Sequence, residues 1–224
     1  MAGRTFDKPL RLLACAAAAA LPTLAQALCT SDGVAEPTVL LERFISADCA
    51  DCWAERTTPQ AAANALALDW VLPGLRGDDA PLAAVASDDA LQRLAFLARP
   101  VPARSSAVIA LRRGRSPAPR LAHGAAFNDY VGASIELKSP GRAPWRAWLL
   151  LVEKLPAGTE GSPVERNLVR NVFQPDWNKP MARLAEMRAM QIRQGARAER
   201  LRLVAVAHDG RGRLRAIAQT ACRE

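Results

Sequence analysis

Two cysteines three residues apart, Cys49 and Cys52, are the residues whose types and spacing carry chemistry in this chain. They follow a mostly apolar run of strand length, Thr38 to Ser46. Residues Trp53 to Thr57 after them read as a helical turn. The thiolate, not the thiol, attacks a disulfide, and a helix N-terminus favours the thiolate. Cys49 is therefore the expected nucleophile, and Cys52 the thiol that resolves the mixed disulfide. Asp48 and Asp51 flank Cys49 and oppose thiolate formation, which points to a moderate or reducing potential. The same spacing also suits a tight structural disulfide in a non-enzymatic binding or scaffold protein, and that alternative stays open.

Other chemistries have less to stand on. Soft thiolates select copper or zinc, but only His123 and His208 are available as histidine partners and both lie far along the chain. No metal site is expected. Trp53 follows Cys52 where c-type haem attachment needs a histidine. There is no G-x-S-x-G elbow and no glycine-rich phosphate loop, and no cofactor is expected. His208, beside a turn, reads as solvated. Trp145, Trp148 and Trp177 read as buried or half-buried strand aromatics.

The elements that must position the cysteines begin with the strand that ends at Ser46. Thr58 and Pro59 read as the cap and first residue of an Ala-rich helix to about Leu68. Ala67 to Leu72 suits a second strand, closed by Pro73 and Gly74. Ser87 caps a helix with Leu91, Leu94 and Leu97 on one side. Ala107 to Leu111 is another strand, and a short helix is expected within Ala125 to Leu137. This order of strands and helices predicts an α/β layer. Beyond about residue 140 the texture becomes antiparallel β. Trp145 to Val152 and Val164 to Phe173 are strand-like, Met181 to Ile192 fits helix or strand, and Leu201 to Ala207 and Leu214 to Ala221 flank a hairpin turn at Asp209-Gly210-Arg211-Gly212.

The whole chain has 224 residues, half of them apolar, with 30 basic and 22 acidic side chains and a formal charge of +8. Such a chain buries a sizeable core, which excludes wholesale disorder. Residues 1–27 read as a secretory signal: Arg4, Lys8 and Arg11, an apolar stretch from Leu12 to Leu24, then Ala25-Gln26-Ala27. Cleavage near Ala27 makes the protein periplasmic or secreted. It removes three basic residues and one acidic residue, taking the charge from +8 to +6. No other run reaches 18 apolar residues, so no membrane span is expected in the mature chain. Four cysteines then remain, an even number for an oxidising compartment. Of the three pairings, spacing favours Cys49 with Cys52 and Cys29 with Cys222 near the two mature ends. Closing so long a loop is worth roughly 5 kcal/mol by chain entropy. Arg112, Arg113 and Arg115 cluster, as do Arg193, Arg197, Arg200 and Arg202, but no stacking aromatics interleave them, so a solvated surface is expected and no nucleic-acid partner.

Three segments carry a resemblance. Val39 to Cys52 resembles the opening strand and Cys-x-x-Cys of a secreted, thioredoxin-like bacterial family known as domain of unknown function 1223. Arg166-Asn167-Leu168-Val169-Arg170 with Trp177 resembles a later segment of that family, and Leu203 to Val206 with Ala216 to Ala221 its final hairpin. The resemblance implies a thioredoxin-like α/β half at 28–140 followed by a mostly antiparallel β half at 141–224 packed on it. The resemblance implies no substrate; the Cys-x-x-Cys motif and the export signal together predict thiol–disulfide exchange with thiols or disulfides of other exported proteins. The resemblance also implies a cis-proline facing the dithiol. Pro102 is the nearest candidate for that substrate-docking role, although Arg104-Ser105-Ser106 separates it from the following strand.

Overall fold

The computed structural model describes residues 29–114, 116–138, 141, 144–177 and 183–222. The expected signal segment and its cleavage site lie outside the described residues, as does Arg115. In chain order the elements are β1 (Cys29–Thr30), β2 (Val39–Ser46), α1 (Ala50–Trp53), β3 (Ala65–Leu72), α2 (Asp88–Phe96), β4 (Ser105–Leu111), β5 (Arg120–Phe127) and β6 (Tyr130–Lys138). They continue with β7 (Trp145–Leu155), β8 (Arg166–Phe173), β9 (Arg183–Gln191), β10 (Leu201–Asp209), β11 (Leu214–Gln219) and β12 (Ala221–Cys222).

This architecture overturns the expectation of an α/β thioredoxin-like half. Strands dominate throughout, and α1 and α2 are the two α-helices among the described residues. The helix expected from Thr58 is exposed chain that leads into β3. Ala61, Ala62 and Ala63 favour helix intrinsically, but a helix is held in a protein by an apolar face it can bury. Here Leu66, Leu68, Trp70 and Leu72 recur every second residue and are buried together, which commits the segment to a strand. The short helix expected within 125–137 is a hairpin instead. Asn128 and Asp129 both take left-handed φ, 47° and 60°, as a tight two-residue turn between twisted strands requires. Val131, Ala133, Ile135 and Leu137 then point inward while their neighbours face out. The antiparallel second half agrees with its expected strands at β7, β8, β10 and β11, and the ambiguous 181–192 segment holds strand β9.

The strands form two sheets. One runs β11-β10-β7-β8-β3-β2-β4 and the other β12-β1-β5-β6-β9. Each draws strands from both sides of residue 140. In the larger sheet β2 and β3 are parallel in register, Phe44 beside Trp70, and β4 runs antiparallel on the outer side of β2. Strand β7 shows how the layers stack. Leu149 and Leu151 face the smaller sheet, where Leu121, Val131, Ile135 and Leu137 meet them. Trp148, Leu150 and Val152 face the opposite way, toward Ala90 and Leu94 of α2. Each such side chain contributes about 1.5–3 kcal/mol by leaving water. Ser87 caps α2 by accepting from the Asp89 N–H at 3.1 Å, as the sequence predicts.

Charged side chains lie within this apolar frame. Glu42 of β2 accepts two bonds from Arg93 of α2, both at 2.8 Å, and one from the Trp70 indole at 3.1 Å. Asp69 of β3 accepts from Arg43 at 2.6 Å, Arg166 at 3.1 Å and the Asn167 N–H at 2.8 Å. Glu153 pairs with Arg170 at 2.5 Å. Buried charges of this kind persist because each is paired and hydrogen-bonded.

Candidate functional site

The parallel pairing of β2 and β3 brings their C-terminal ends, Ser46 and Leu72, to one edge of the large sheet. The segment after Ser46 folds back at once. The Ala47 N–H donates to the Leu72 carbonyl at 2.9 Å, and the Leu82 N–H to the Ala47 carbonyl at 3.1 Å. The Asp48 carboxylate accepts from the backbone of Leu75 at 2.6 Å and Arg76 at 3.3 Å. This tie needs Gly74, because a Cβ there would lie 2.4 Å from an Asp48 oxygen. Asp48 is thus a clamp between two loops as well as a neighbour of Cys49.

Cys49 and Cys52 form a disulfide with Cα atoms 5.3 Å apart. Cys49 precedes α1, and its sulfur accepts from the Cys52 N–H at 3.3 Å. Helix α1 is a single turn of four residues. It therefore lacks the aligned peptide units that give a long helix its dipole, and the thiolate stabilisation expected from a following helix reduces to that one N–H. The two sulfurs also differ in surroundings. Cys49 is 7% exposed, whereas Cys52 is half-buried and lines a cavity of about 380 Å³.

Charged side chains of both signs line that cavity. Arg43 of β2, Arg104 before β4 and Arg166 of β8 line it, and so do Asp51 and Glu55 from the α1 side. Arg166 carries the local structure: it donates to the Trp53 carbonyl at 2.7 Å, to Asp69, and to the hydroxyls of Ser162 at 2.9 Å and Thr58 at 3.2 Å. Burial lowers the Arg166 pKa and the Asp69 carboxylate opposes that shift. Arg43 donates to Asp69 and to the Pro59 carbonyl at 2.9 Å, so two guanidinium groups share one carboxylate. In the same lining, the Thr57 N–H and then its hydroxyl hold the Glu55 carboxyl below its usual range. The sequence reading placed none of these three arginines in the site. Arg43 and Arg166 carry a signal, a charged residue within an apolar strand, but nothing local says that they converge.

Pro102 lies half-buried in the loop before β4. The carbonyl of Arg104, two residues on, accepts from the Ser46 N–H at 2.8 Å, so this loop abuts the strand that carries the cysteines. Pro102 is not one of the cavity's lining residues. The second disulfide joins Cys29 to Cys222, 193 residues apart, as direct partners on β1 and β12. His123 of β5 is the partner of Cys29 on the other side, and atoms of Cys29, His123 and Cys222 lie within 4.8 Å of one another. Both sulfurs are consumed by the disulfide, so they offer no thiolate to a metal in this state. His208, expected to be solvated, is buried at 3% exposure against the Phe96 ring. The second basic cluster is also more engaged than a solvated surface. Arg193 bonds Ala86 and Ser87 ahead of α2, and Arg202 donates to Asn167 at 2.6 Å. No helix among the described residues is long and apolar enough to cross a membrane.

No protein-family model, no curated protein and no solved structure matches this chain, so its functional reading rests on the chemistry of the site itself.

Proposed function

We propose that the chain carries out thiol–disulfide exchange through Cys49 and Cys52, acting on thiols or disulfides of other exported proteins. The observation that supports this most directly is the placement of the pair: Cys52 is half-buried and lines a cavity that also holds charged side chains. A bridge with a purely mechanical role has no need of such access. The resemblance to the secreted family named above belongs to the same proposal. The test is catalysed reduction of insulin disulfides in a dithiol buffer. Replacing either Cys49 or Cys52 with Ser should bring the rate down to the uncatalysed level while the far-UV spectrum stays unchanged. Turnover that survives in the double variant would sink the proposal.

A second reading has one observation in its favour, the burial of Cys49. In it the pair is a staple on a binding or scaffold protein. Its removal should then lower thermal stability, and the wild-type chain should not accelerate insulin reduction at all.

A further inference from the structure

We propose that Cys52, not Cys49, is the sulfur that exchanges with substrate, and that the cavity beside it selects a small amino-acid-type thiol bearing both a carboxylate and an ammonium group. This rests on the exchange reading above and deepens it. Such a thiol would serve as the co-substrate that resets the pair after, or before, a protein partner reacts.

Two independent features set the direction of attack. An incoming sulfur must approach along the disulfide axis and needs open space behind the atom it strikes. Of the two residues Cys52 is the more open: it is half-buried and lines the cavity, while Cys49 is 7% exposed. The leaving sulfur gathers negative charge, and a hydrogen-bond donor beside it speeds departure. The donor is at Cys49, whose sulfur accepts from the Cys52 N–H at 3.3 Å. Both features make Cys49 the leaving and resolving sulfur, which replaces the expectation that Cys49 attacks.

The cavity wall sets the substrate class. Its volume of about 380 Å³ is in the range of small-ligand sites. Arg104, which is exposed, lines the cavity together with the buried Arg43 and Arg166, which share a single Asp69 carboxylate. Asp51 and Glu55 line the same cavity. A ligand with one charge cannot complement a lining of both signs, and a zwitterion can.

The step balances as follows. The substrate thiolate attacks the Cys52 sulfur and a new S–S bond forms there. The Cys49–Cys52 bond breaks, its electron pair goes to the Cys49 sulfur, and that sulfur takes a proton from solvent. A second small thiolate attacks the outer sulfur of the mixed disulfide and releases Cys52. Two small thiols are oxidised and one protein disulfide is reduced, a two-electron transfer.

The experiment uses the full chain with its Cys29–Cys222 bridge intact, as Cys49→Ser and Cys52→Ser variants. Each is reacted with glutathione disulfide or with neutral bis(2-hydroxyethyl) disulfide, and the mass gain is followed. Each rate is divided by that of free N-acetylcysteine. Cys49→Ser, which keeps Cys52, should react at least about tenfold faster than Cys52→Ser, since rate follows access. Its normalised preference for glutathione disulfide should be about fivefold, and should fall toward one in Arg104→Ala and Glu55→Gln backgrounds. In the wild type, brief treatment with glutathione and an acid quench should place the adduct on Cys52 by fragmentation, which needs no substitution. An adduct on Cys49, or equal rates for the two variants, would overturn the direction of attack. Equal normalised rates for the two disulfides would overturn the substrate class. Both results leave the exchange reading standing, whereas failure of both cysteines to react with both disulfides removes that reading as well.

Discussion

Glu42 is a carboxylate at 1% exposure inside a strand whose neighbours are Leu, Phe and Ile, and Arg93 meets it with two bonds from a helix 51 residues later in the chain. The same guanidinium lies 5.0 Å from the centre of the Trp148 ring and 5.3 Å from that of Phe96. Taking either partner away strands a charge in apolar surroundings, a loss of roughly 3–5 kcal/mol. Arg93→Met should therefore cost several kcal/mol in urea unfolding, and Glu42→Gln with Arg93→Met together should cost clearly less than the two single changes added. A loss under about 1 kcal/mol for Arg93→Met would mean that the pair does not hold α2 to the sheet. Part of this was legible in the letters. Glu42, Arg43 and Asp69 stand where a strand buried on both faces has no room for an unpaired charge. Their partners were not legible, because Arg93 and Arg166 are brought to them by tertiary folding alone. For the same reason Cys49 and Cys52 could be picked out by spacing, while the cavity that distinguishes them could not.

At the scale of elements, the sequence misled wherever local propensity and burial disagree. The alanines after Pro59 suggested a helix, yet the alternation at Leu66, Leu68, Trp70 and Leu72 decided the outcome. The 130–138 segment alternates at every position, but its Gly132, Ala133 and Ser134 dilute the apolar signal that marks a strand. The loss of a long helix after the cysteines matters chemically, since it takes away the dipole that was expected to activate Cys49. Helix α2 was readable from its cap and its leucines, and its packing makes a testable titration. His208 of β10 sits with its ring centre 4.8 Å from that of Phe96 at the end of α2. Burial, with Arg93 adding repulsion, pushes its pKa down to about 3. The unfolded chain therefore binds a proton there below about pH 6.5, whereas the folded chain does not until near pH 3. Stability from this site is complete above pH 6.5 and should fall on acidification by up to about 1.4 kcal/mol per pH unit. Comparing urea midpoints at pH 7.0, 5.5 and 4.5 should show a steeper loss for the wild type than for His208→Gln. Parallel curves for the two proteins would contradict a buried, neutral histidine.

For the molecule as a whole, the two disulfides act on different scales. Cys29–Cys222 fastens the first described strand to the last, and its long loop removes much of the freedom of the unfolded chain. Cys49–Cys52 closes a loop of only a few residues, where chain-entropy gain is small, so its reduction should leave the two-sheet core nearly as stable as before. Half-burial of Cys52 at a cavity and weak mechanical value together support the exchange proposed for this bridge. The most direct test is the equilibrium reduction potential of Cys49–Cys52, read as the alkylated fraction by mass across a series of thiol buffers. A value between about −120 and −270 mV, with Cys29–Cys222 still closed, is the predicted result and is the range of working oxidoreductases. A value well below about −300 mV would mean that the bridge resists reduction as structural ones do, and would contradict exchange as the function of this site.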